Sequence, residues 1–366
     1  MGVWWSIIGA LLAPLLPGRG LPVLMAALVS AVPIRLFTRM RAGYPSAAVR
    51  LWVFRPFWYV QLGLPLIAAG GLLGFLAGVP FGSGVSTGRW ALLIAASAFA
   101  VAAVVGYIGS RWLRVEELDA PFRDLPATLE GMRIVQISDL HVGPHTSRRH
   151  LAAVARAVRA ARPDLIAITG DQVDDYARDV VHFADAFAGL SAPHGVFAVP
   201  GNHDVYAGWS AVRAGLEAMG ITVLVNEAVE VDGRFWVAGT GDPAGNGRPR
   251  GRGGEAAPDL ARTLARVPEG AFTIALAHNP VLWPGLARRG VHLTLSGHTH
   301  HGQLSIPRLG WSLASPFLEH AMGSHRLGES LLYVNPGTNY WGLPFRIGAL
   351  PEVTVLTLRR APDRAA

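Results

Sequence analysis

The first 110 residues repeat one pattern: long apolar runs separated by short breaks, with almost no polar face inside any run. The runs cover residues 3–17, 21–37, 57–79 and 91–110. A bilayer-crossing helix needs about 20 apolar residues, with roughly 17–25 as the range. The third and fourth runs meet that length and are predicted to span. The first two are shorter and read as two spans or as a tight helical hairpin. Trp4, Trp5, Trp58, Tyr59, Trp90 and Trp112 stand at the ends of runs, where an amphipathic ring favours the headgroup layer. A cleaved signal peptide would call for a basic leader, which the first run lacks.

From about Met132 the period changes to short β-branched runs alternating with amphipathic segments. Strands are predicted at 133–138, 165–169, 196–199, 221–225, 228–231, 235–238, 273–277, 293–295, 331–334 and 353–358. Helices are predicted at 147–161, with Ser147 placed to cap it, and at 180–190. Residues 242–258, rich in Gly, Arg and Pro, read as an exposed loop. A βαβ start followed by a strand-rich second half suggests two packed sheets flanked by helices. The expected organisation is a transmembrane helical region over 1–115 and an α/β domain over 130–360.

Composition agrees with a membrane segment, since 51% of the chain is hydrophobic and only 16% charged. The net charge of +7 is concentrated at one end. Residues 1–115 hold nine of the 32 basic residues, all Arg, and no acid, which leaves 23 Arg against all 25 acids in the rest. The second half is thus near neutral, and no nucleic-acid partner is expected. Arg35, Arg39, Arg41, Arg50 and Arg55 crowd one inter-run segment, while Arg19 and Arg89 stand alone in the others. The positive-inside bias makes the crowded segment cytoplasmic. Runs three and four then return the chain to that side, so an integral protein of the cell membrane with the 130–360 domain in the cytoplasm is expected. There is no Cys, which excludes disulfides, thiolate metal ligands and a Cys nucleophile.

Five short motifs each follow a predicted strand: Asp139-Leu140-His141, Gly170-Asp171, Gly201-Asn202-His203-Asp204, His278-Asn279 and Gly297-His298-Thr299-His300. Strand ends converge on one rim of a sheet, a usual place for α/β sites. Oxygen and imidazole donors without sulfur suit divalent Mn, Fe or Zn. Seven donors can hold two ions if one carboxylate bridges them. Two such ions about 3.5–4 Å apart can clamp both the attacking and leaving oxygens of a phosphoryl displacement.

In their order and residue types these motifs resemble the calcineurin-like metallophosphoesterase superfamily. Within it, residues 132–360 are most similar to the bacterial membrane-associated branch of YkuE-like and YaeI-like phosphoesterases. The tail, with Gly-Leu-Pro-Phe-Arg at 342–346 and Pro-Glu-Val-Thr at 351–354, shares that likeness. The resemblance implies an αββα sandwich. It implies that Asp139, His141 and His300 hold one metal ion, that Asn202, His278 and His298 hold a second, and that Asp171 bridges them. It also implies that His203 protonates the leaving oxygen with Asp174 as its orienting partner, the nucleophile being a metal-bound hydroxide. The segment Gly170–Asp175 lacks the Arg-Gly that follows this motif in Ser/Thr phosphoprotein phosphatases, which argues against that activity.

His301 occupies a position where the branch often has Gly, and is expected to fill the loop. Asp204 is expected to be structural. His145, His150, His182, His194, His292, His320 and His325 are expected to be solvated or locally bonded, His145 being the one nearest to a ligand motif. Trp311, Phe317, Trp341 and Phe345 are candidates for a cleft lining but are assigned first to core packing. The expected function is metal-dependent hydrolysis of a phosphomonoester, phosphodiester or pyrophosphate on a membrane-associated substrate, with a lipid-linked one as a candidate. Two alternatives remain: an anchored phosphodiesterase for a soluble substrate, and a non-catalytic membrane sensor that binds ligand with a phosphoesterase-like domain.

Overall fold

The computed structural model describes residues 30–36, 38, 43–248 and 254–361. The apolar run at 3–17 and most of the run at 21–37 lie outside the described residues. The chain divides into two compact units, Met1–Gly106 and Tyr107–Ala366.

In the first unit the runs at 57–79 and 91–110 fall in two helices, α1 (Ala47–Phe81) and α2 (Gly84–Gly109), each long and apolar enough to cross a membrane. Gly70, Gly74 and Gly78 recur every fourth residue along α1, and a methyl group on any of them would meet Ala95, Ala91 or Thr87 of α2. Such a small-residue stripe lets two backbones pack closely where no water drives association.

The second unit is four-layered, with two six-stranded sheets face to face and helices outside. The first sheet runs in the order β1 (Arg114–Phe122), β14 (Glu352–Arg360), β2 (Arg133–Ile137), β3 (Leu165–Ile168), β4 (Val196–Ala198), β5 (Thr222–Val223). The second runs β12 (Gly323–Leu327), β13 (Ser330–Val334), β9 (Leu293–Ser296), β8 (Thr273–Leu276), β7 (Phe235–Gly239), β6 (Glu227–Val231). Alternation along the strands sorts the core. Ile134 and Leu165 pack between the sheets with Ile274, Leu276, Leu293 and Leu295. Val135, Ile137, Ile166 and Ile168 face the other way, against α3 (Arg148–Ala160), α4 (Val180–Phe187) and α5 (Asn202–Glu217). The opposite outer layer is thinner, with Leu286 of the short helix Trp283–Ala287 on Ala238 and Ala275.

Several expectations need correction. The sheet begins before residue 130, because β1 pairs in parallel with β14 from Arg114↔Glu352 to Phe122↔Arg360. Its outer half is exposed, so no apolar alternation announces it. The same holds for the edge strand β12. The strand expected over 221–225 shrinks to the paired residues Thr222–Val223. Ser147 is the N-cap residue of α3, but its side chain makes no capping hydrogen bond. The loop 242–258 is not wholly exposed, since Asp242 and Ala256 at its ends are buried and joined by a main-chain hydrogen bond. Helix α5 was not expected, because its first turn is the Asn202-His203-Asp204 motif itself.

The topology sets the site. β2, β3 and β4 are adjacent and parallel, and so are β8 and β9. All five motif-bearing strands therefore end at common edges. Gln136 ties the two sheets behind that rim, donating to Thr169 Oγ1 and to the Ser296 carbonyl, both at 2.9 Å.

Candidate metal centre

At the strand exits the backbone leaves extended geometry abruptly. Asp139, His141, Asp171, His298 and His300 all have φ between 42° and 71°. Left-handed backbone at non-glycine residues costs roughly 1 kcal/mol or more each and concentrates at functional sites. Five of the seven candidate ligands carry that strain. Two motif glycines are required by close approach. A Cβ on Gly201 would strike the Asp171 carboxylate, and one on Gly297 would strike Asp139 and Ser138.

The donor atoms converge. His141 Nε2 lies 3.0 Å from His300 Nε2, and His300 Nε2 lies 3.2 Å from Asp139 Oδ1. Asn202 Oδ1 is 2.9 Å from His298 Nδ1 and 3.2 Å from His278 Nε2. Asp171 Oδ2 stands between the two groups, 3.5 Å from His141 Nε2 and 3.3 Å from His278 Nε2. Asp139, His141 and His300 form one potential cation site, and Asp139, Asp171 and His278 another. The structure thus brings all seven sequence-selected residues together, with Asp171 central.

Main-chain and hydroxyl groups hold these side chains from behind. Ser138 Oγ donates to Asp139 Oδ2 at 2.6 Å, the His298 amide donates to Asp139, and the His203 amide donates to Asp171 Oδ1 at 2.8 Å. His278 Nδ1 donates to the Thr169 carbonyl at 2.7 Å. That bond turns Nε2 towards Asp171 and Asn202, the usual orientation behind a metal-binding imidazole.

Electrostatics follow the packing. Burial by itself would raise Asp139, but the imidazoles of His300, His278 and His141 outweigh it and hold the carboxyl well below its usual range. Asp171 is likewise held low despite burial, by His278 first. Both carboxylates are therefore ionised, as cation binding requires. Burial, with the neighbouring His278, lowers His298 to about 4, and burial lowers His300 to about 4. His278 and His141 go the other way, raised despite burial by the carboxylates of Asp171 and Asp174 beside them, so the cluster gathers buried charge and facing ring nitrogens that a divalent cation satisfies and an apolar core does not.

His203 lies at the edge of this cluster, its ring centroid 4.6 Å from that of His141. Its Nδ1 is 3.1 Å from the main-chain carbonyl of Asp174 and 3.4 Å from Asp174 Oδ1. The same carboxylate oxygen is 3.4 Å from His141 Nδ1. Asp174 thus serves two histidines, and the nearer acceptor for His203 is its backbone rather than its side chain.

Asp204 accepts from the Gly201 and Val173 amides at 2.8 and 3.1 Å. Burial and the neighbouring Asp171 raise its pKa to about 7, and its role is to shape the turn. His301 is buried with φ 48° and donates through Nε2 to the Val334 carbonyl at 3.1 Å. It fills the loop as expected. His150 bonds the Thr338 carbonyl and His194 pairs with Asp232, while His145 is exposed and belongs to none of the clustered groups.

Sequence reasoning missed Arg346. This buried guanidinium donates to the carbonyls of Pro336, Ala349 and Asn339, and its Nη2 donates to His300 Nδ1 at 2.8 Å. Its one sequence signal is isolation: it is the sole charged residue between Glu329 and Glu352. Because arginine can only donate, His300 Nδ1 is an acceptor here, so a neutral His300 carries its proton on Nε2. Holding a cation at that nitrogen needs its lone pair, so the ring must move its proton to Nδ1, where it can no longer accept from Arg346. Trp341 was also misjudged. It is half exposed, not core, and its ring lies 5.8 Å from His203. Phe317 is exposed too.

Comparison with known proteins bears on this arrangement. Residues 132–302 match the family model for calcineurin-like phosphoesterase. The chain is 32% identical to a Bos taurus transmembrane protein with metallophosphoesterase domain, over 80% of this chain and 68% of that one. A Danio rerio protein of the same description is 32% identical over 72% of this chain and 61% of its own. The Bacillus subtilis uncharacterized metallophosphoesterase YkuE is 32% identical over 72% of this chain and 94% of its own. Against the first of the relatives the match spans only 60–61% of their length.

Proposed function

The chain belongs to the calcineurin-like phosphoesterase family, and from that premise we propose that it hydrolyses phosphoester bonds with two divalent ions, on a substrate presented at a membrane. The observation that carries this reading is the convergence of seven donors around Asp171. Asp139, His141 and His300 would hold one ion and Asn202, His278 and His298 the other, with Asp171 shared between the two sets. Ions of the Mn, Fe or Zn type supply the positive charge that activates an attacking water and neutralises the phosphoryl oxygens.

The rest is the work of the chain. Asp139 and Asp171 arrive ionised, held by Ser138 and by the His298 and His203 amides. Thr169 orients the His278 ring. His203 comes within ligand distance of His141 and Asp171, and its place at the edge of the cluster, with Nδ1 on Asp174, supports assigning it to the leaving group and not to either ligand set. An imidazole there can donate a proton to the departing oxygen from Nε2 while its Nδ1 faces Asp174. Two long apolar helices and the relatives described as transmembrane support membrane association. The arginine-rich segment at 35–55 supports a cytoplasmic site, which a cytoplasm-only reporter fused after Ala366 checks.

The deciding experiment is hydrolysis by the full chain, stripped of metal and then reloaded, against soluble and lipid-linked phosphomonoesters, phosphodiesters and pyrophosphates. Activity is expected to vanish on chelation and return with Mn or another transition ion. Full activity in the metal-free protein overturns the dinuclear reading, and inertness of the reloaded protein towards every phosphoester favours a ligand-binding sensor.

A further inference from the structure

Just past the last metal-site histidine the chain makes a small hairpin whose pattern is reversed. β10 (Ser305–Ile306) pairs antiparallel with β11 (Trp311–Ser312), in the register Ser305↔Ser312 and Ile306↔Trp311. Directly opposed residues share a face. The serine face points in, with Ser305 4% and Ser312 0% exposed, and the apolar face points out, with Ile306 47% and Trp311 37% exposed. A hairpin lying on a core normally does the opposite. Its tip adds Leu309 at 74%, and the segment after it adds Leu313 at 46% and Phe317 at 81%. Scattered exposed apolar residues are ordinary, but a contiguous patch on one short segment marks an interaction surface.

The hairpin is fastened to the site. The Ser305 amide donates to the Ile347 carbonyl at 2.9 Å, and the Ile347 amide to the Gln303 carbonyl at 3.0 Å. Gln303 grips Trp341 twice, donating from Nε2 to its carbonyl and accepting from its amide, both at 3.0 Å. Trp341 in turn lies beside His203, with Tyr206 at an equal 5.8 Å from the same ring. The backbone of the hairpin is therefore tied, through Ile347 and Gln303, to the tryptophan beside His203.

Chain connectivity bears on what could cover the patch. Only four residues, Ser110–Leu113, separate the end of α2 from the first residue of β1. Extended chain advances at most about 3.6 Å per residue, so β1 starts within roughly 18 Å of the helix end. Tyr107, Arg111 and Trp112 mark that junction, with Arg111 stacked 3.7 Å over Tyr107 and Trp112 exposed. Aromatic and basic residues together are the signature of a headgroup layer. Arg114 at the start of β1 and Pro307 in the turn of the hairpin line one cavity, so the hairpin lies at the tethered end of its own unit, where exposed Trp, Phe and Leu match the chemistry of a lipid surface.

We propose that the β10–β11 hairpin, with Phe317 and Trp341, docks on a phospholipid surface and delivers phosphoesters carried by lipids to the metal centre, His203 facing the lipid-bearing leaving group. This rests on the membrane-associated phosphoesterase reading above and names the surface that serves it.

The test uses the full chain reconstituted in vesicles of phosphatidylcholine and phosphatidylglycerol. Because the protein has no cysteine, L309C gives a single attachment point for an environment-sensitive dye. E217C, at the far end of α5 from the site, is the control. The dye at 309 is expected to shift to the blue and to be quenched by brominated lipid, with the control unaffected. Equal behaviour at both positions, or a dye at 309 that lipid bromine does not quench, overturns the proposal, including the case in which a protein partner covers the patch. In a second arm, L309D/F317D is compared with wild type on a lipid-carried and a soluble phosphoester. The ratio of the two rates is expected to fall about ten-fold or more, as interfacial binding scales with buried apolar area. An unchanged ratio overturns the proposal. A chain that does not float with vesicles overturns both the anchoring and the docking. Loss of all turnover in metal-loaded wild type overturns the phosphoesterase reading and leaves the dye to decide the docking.

Discussion

Asp139 and Asp171 are carboxylates buried at the strand exits, whereas Leu309 and Phe317, further along the chain past His300, are large apolar side chains left in solvent. The two regions depart from the inside–outside rule in opposite directions. At the rim each buried charge has partners supplied by the fold: the Ser138 hydroxyl, the His298 and His203 amides, and the surrounding imidazoles. At the hairpin the register itself turns the apolar face outward. Burying a charge costs several kcal/mol unless it is paired, so the rim compensates internally and is completed by cations. Exposed apolar area carries a cost only in proportion to area, so the hairpin can stand uncovered until a partner meets it.

Substitutions separate the two regions by size of effect. The largest is expected from Asp171→Ala, which removes the group shared by both ligand sets. Ion content and turnover should fall together, as read by metal analysis and hydrolysis of a chromogenic phosphoester. Retention of both ions would break the bridging assignment. Next is His203→Ala, which should keep both ions and lose about 10²–10⁴-fold in rate, the usual contribution of a general acid. The loss should shrink for leaving groups that need no proton, and a site emptied by this change would make His203 a ligand.

Arg346→Met tests the support behind the rim rather than its chemistry. Three buried carbonyls lose their donor, and an unsatisfied buried acceptor costs about 1–3 kcal/mol. Thermal unfolding of the detergent-solubilised chain should show a clear fall in Tm, and an unchanged Tm would show that the guanidinium is dispensable to packing.

A smaller effect concerns Glu352, buried against Tyr333 at 2.6 Å. Burial raises its pKa above the ordinary 4.5, against the lowering by Tyr333 and Thr354. A carboxyl raised on folding contributes stability below its unfolded value and loses it as pH rises through the folded one. Glu352→Gln should therefore flatten the decline in stability as pH rises above 4.5, measured by unfolding at several pH values. An unaltered slope would assign that decline to other groups. The smallest effect is expected from Leu309→Ser, within about 0.5 kcal/mol in unfolding as for exposed positions generally. A larger loss would mean that the hairpin is packed, and the contrast with the rim would disappear.

The strands that carry the motifs were legible because each is a short apolar run whose neighbours bury both of its faces, as in β2, β3, β8 and β9. The edge strands β1 and β12 were not, because exposed edges do not repeat an apolar period. Helix α5 was hidden by its own first turn, where Asn, His and Asp signal a loop as readily as a helix start.

By itself the sequence determined what is local. The long apolar runs, the strand periods and the Asp, Asn and His residues at strand exits are set within a few positions of one another, where side-chain type and backbone period suffice. The tertiary structure decided what depends on pairing across the chain. Arg346 reaches His300 from 46 residues away, Asp174 comes between His141 and His203, and β14 returns from the C-terminal end to lie between β1 and β2. The outward apolar face of the hairpin is of the same kind. A shift of one residue in its register would have turned Ile306 and Trp311 inward, and strand register is settled by what the neighbouring segments offer rather than by composition.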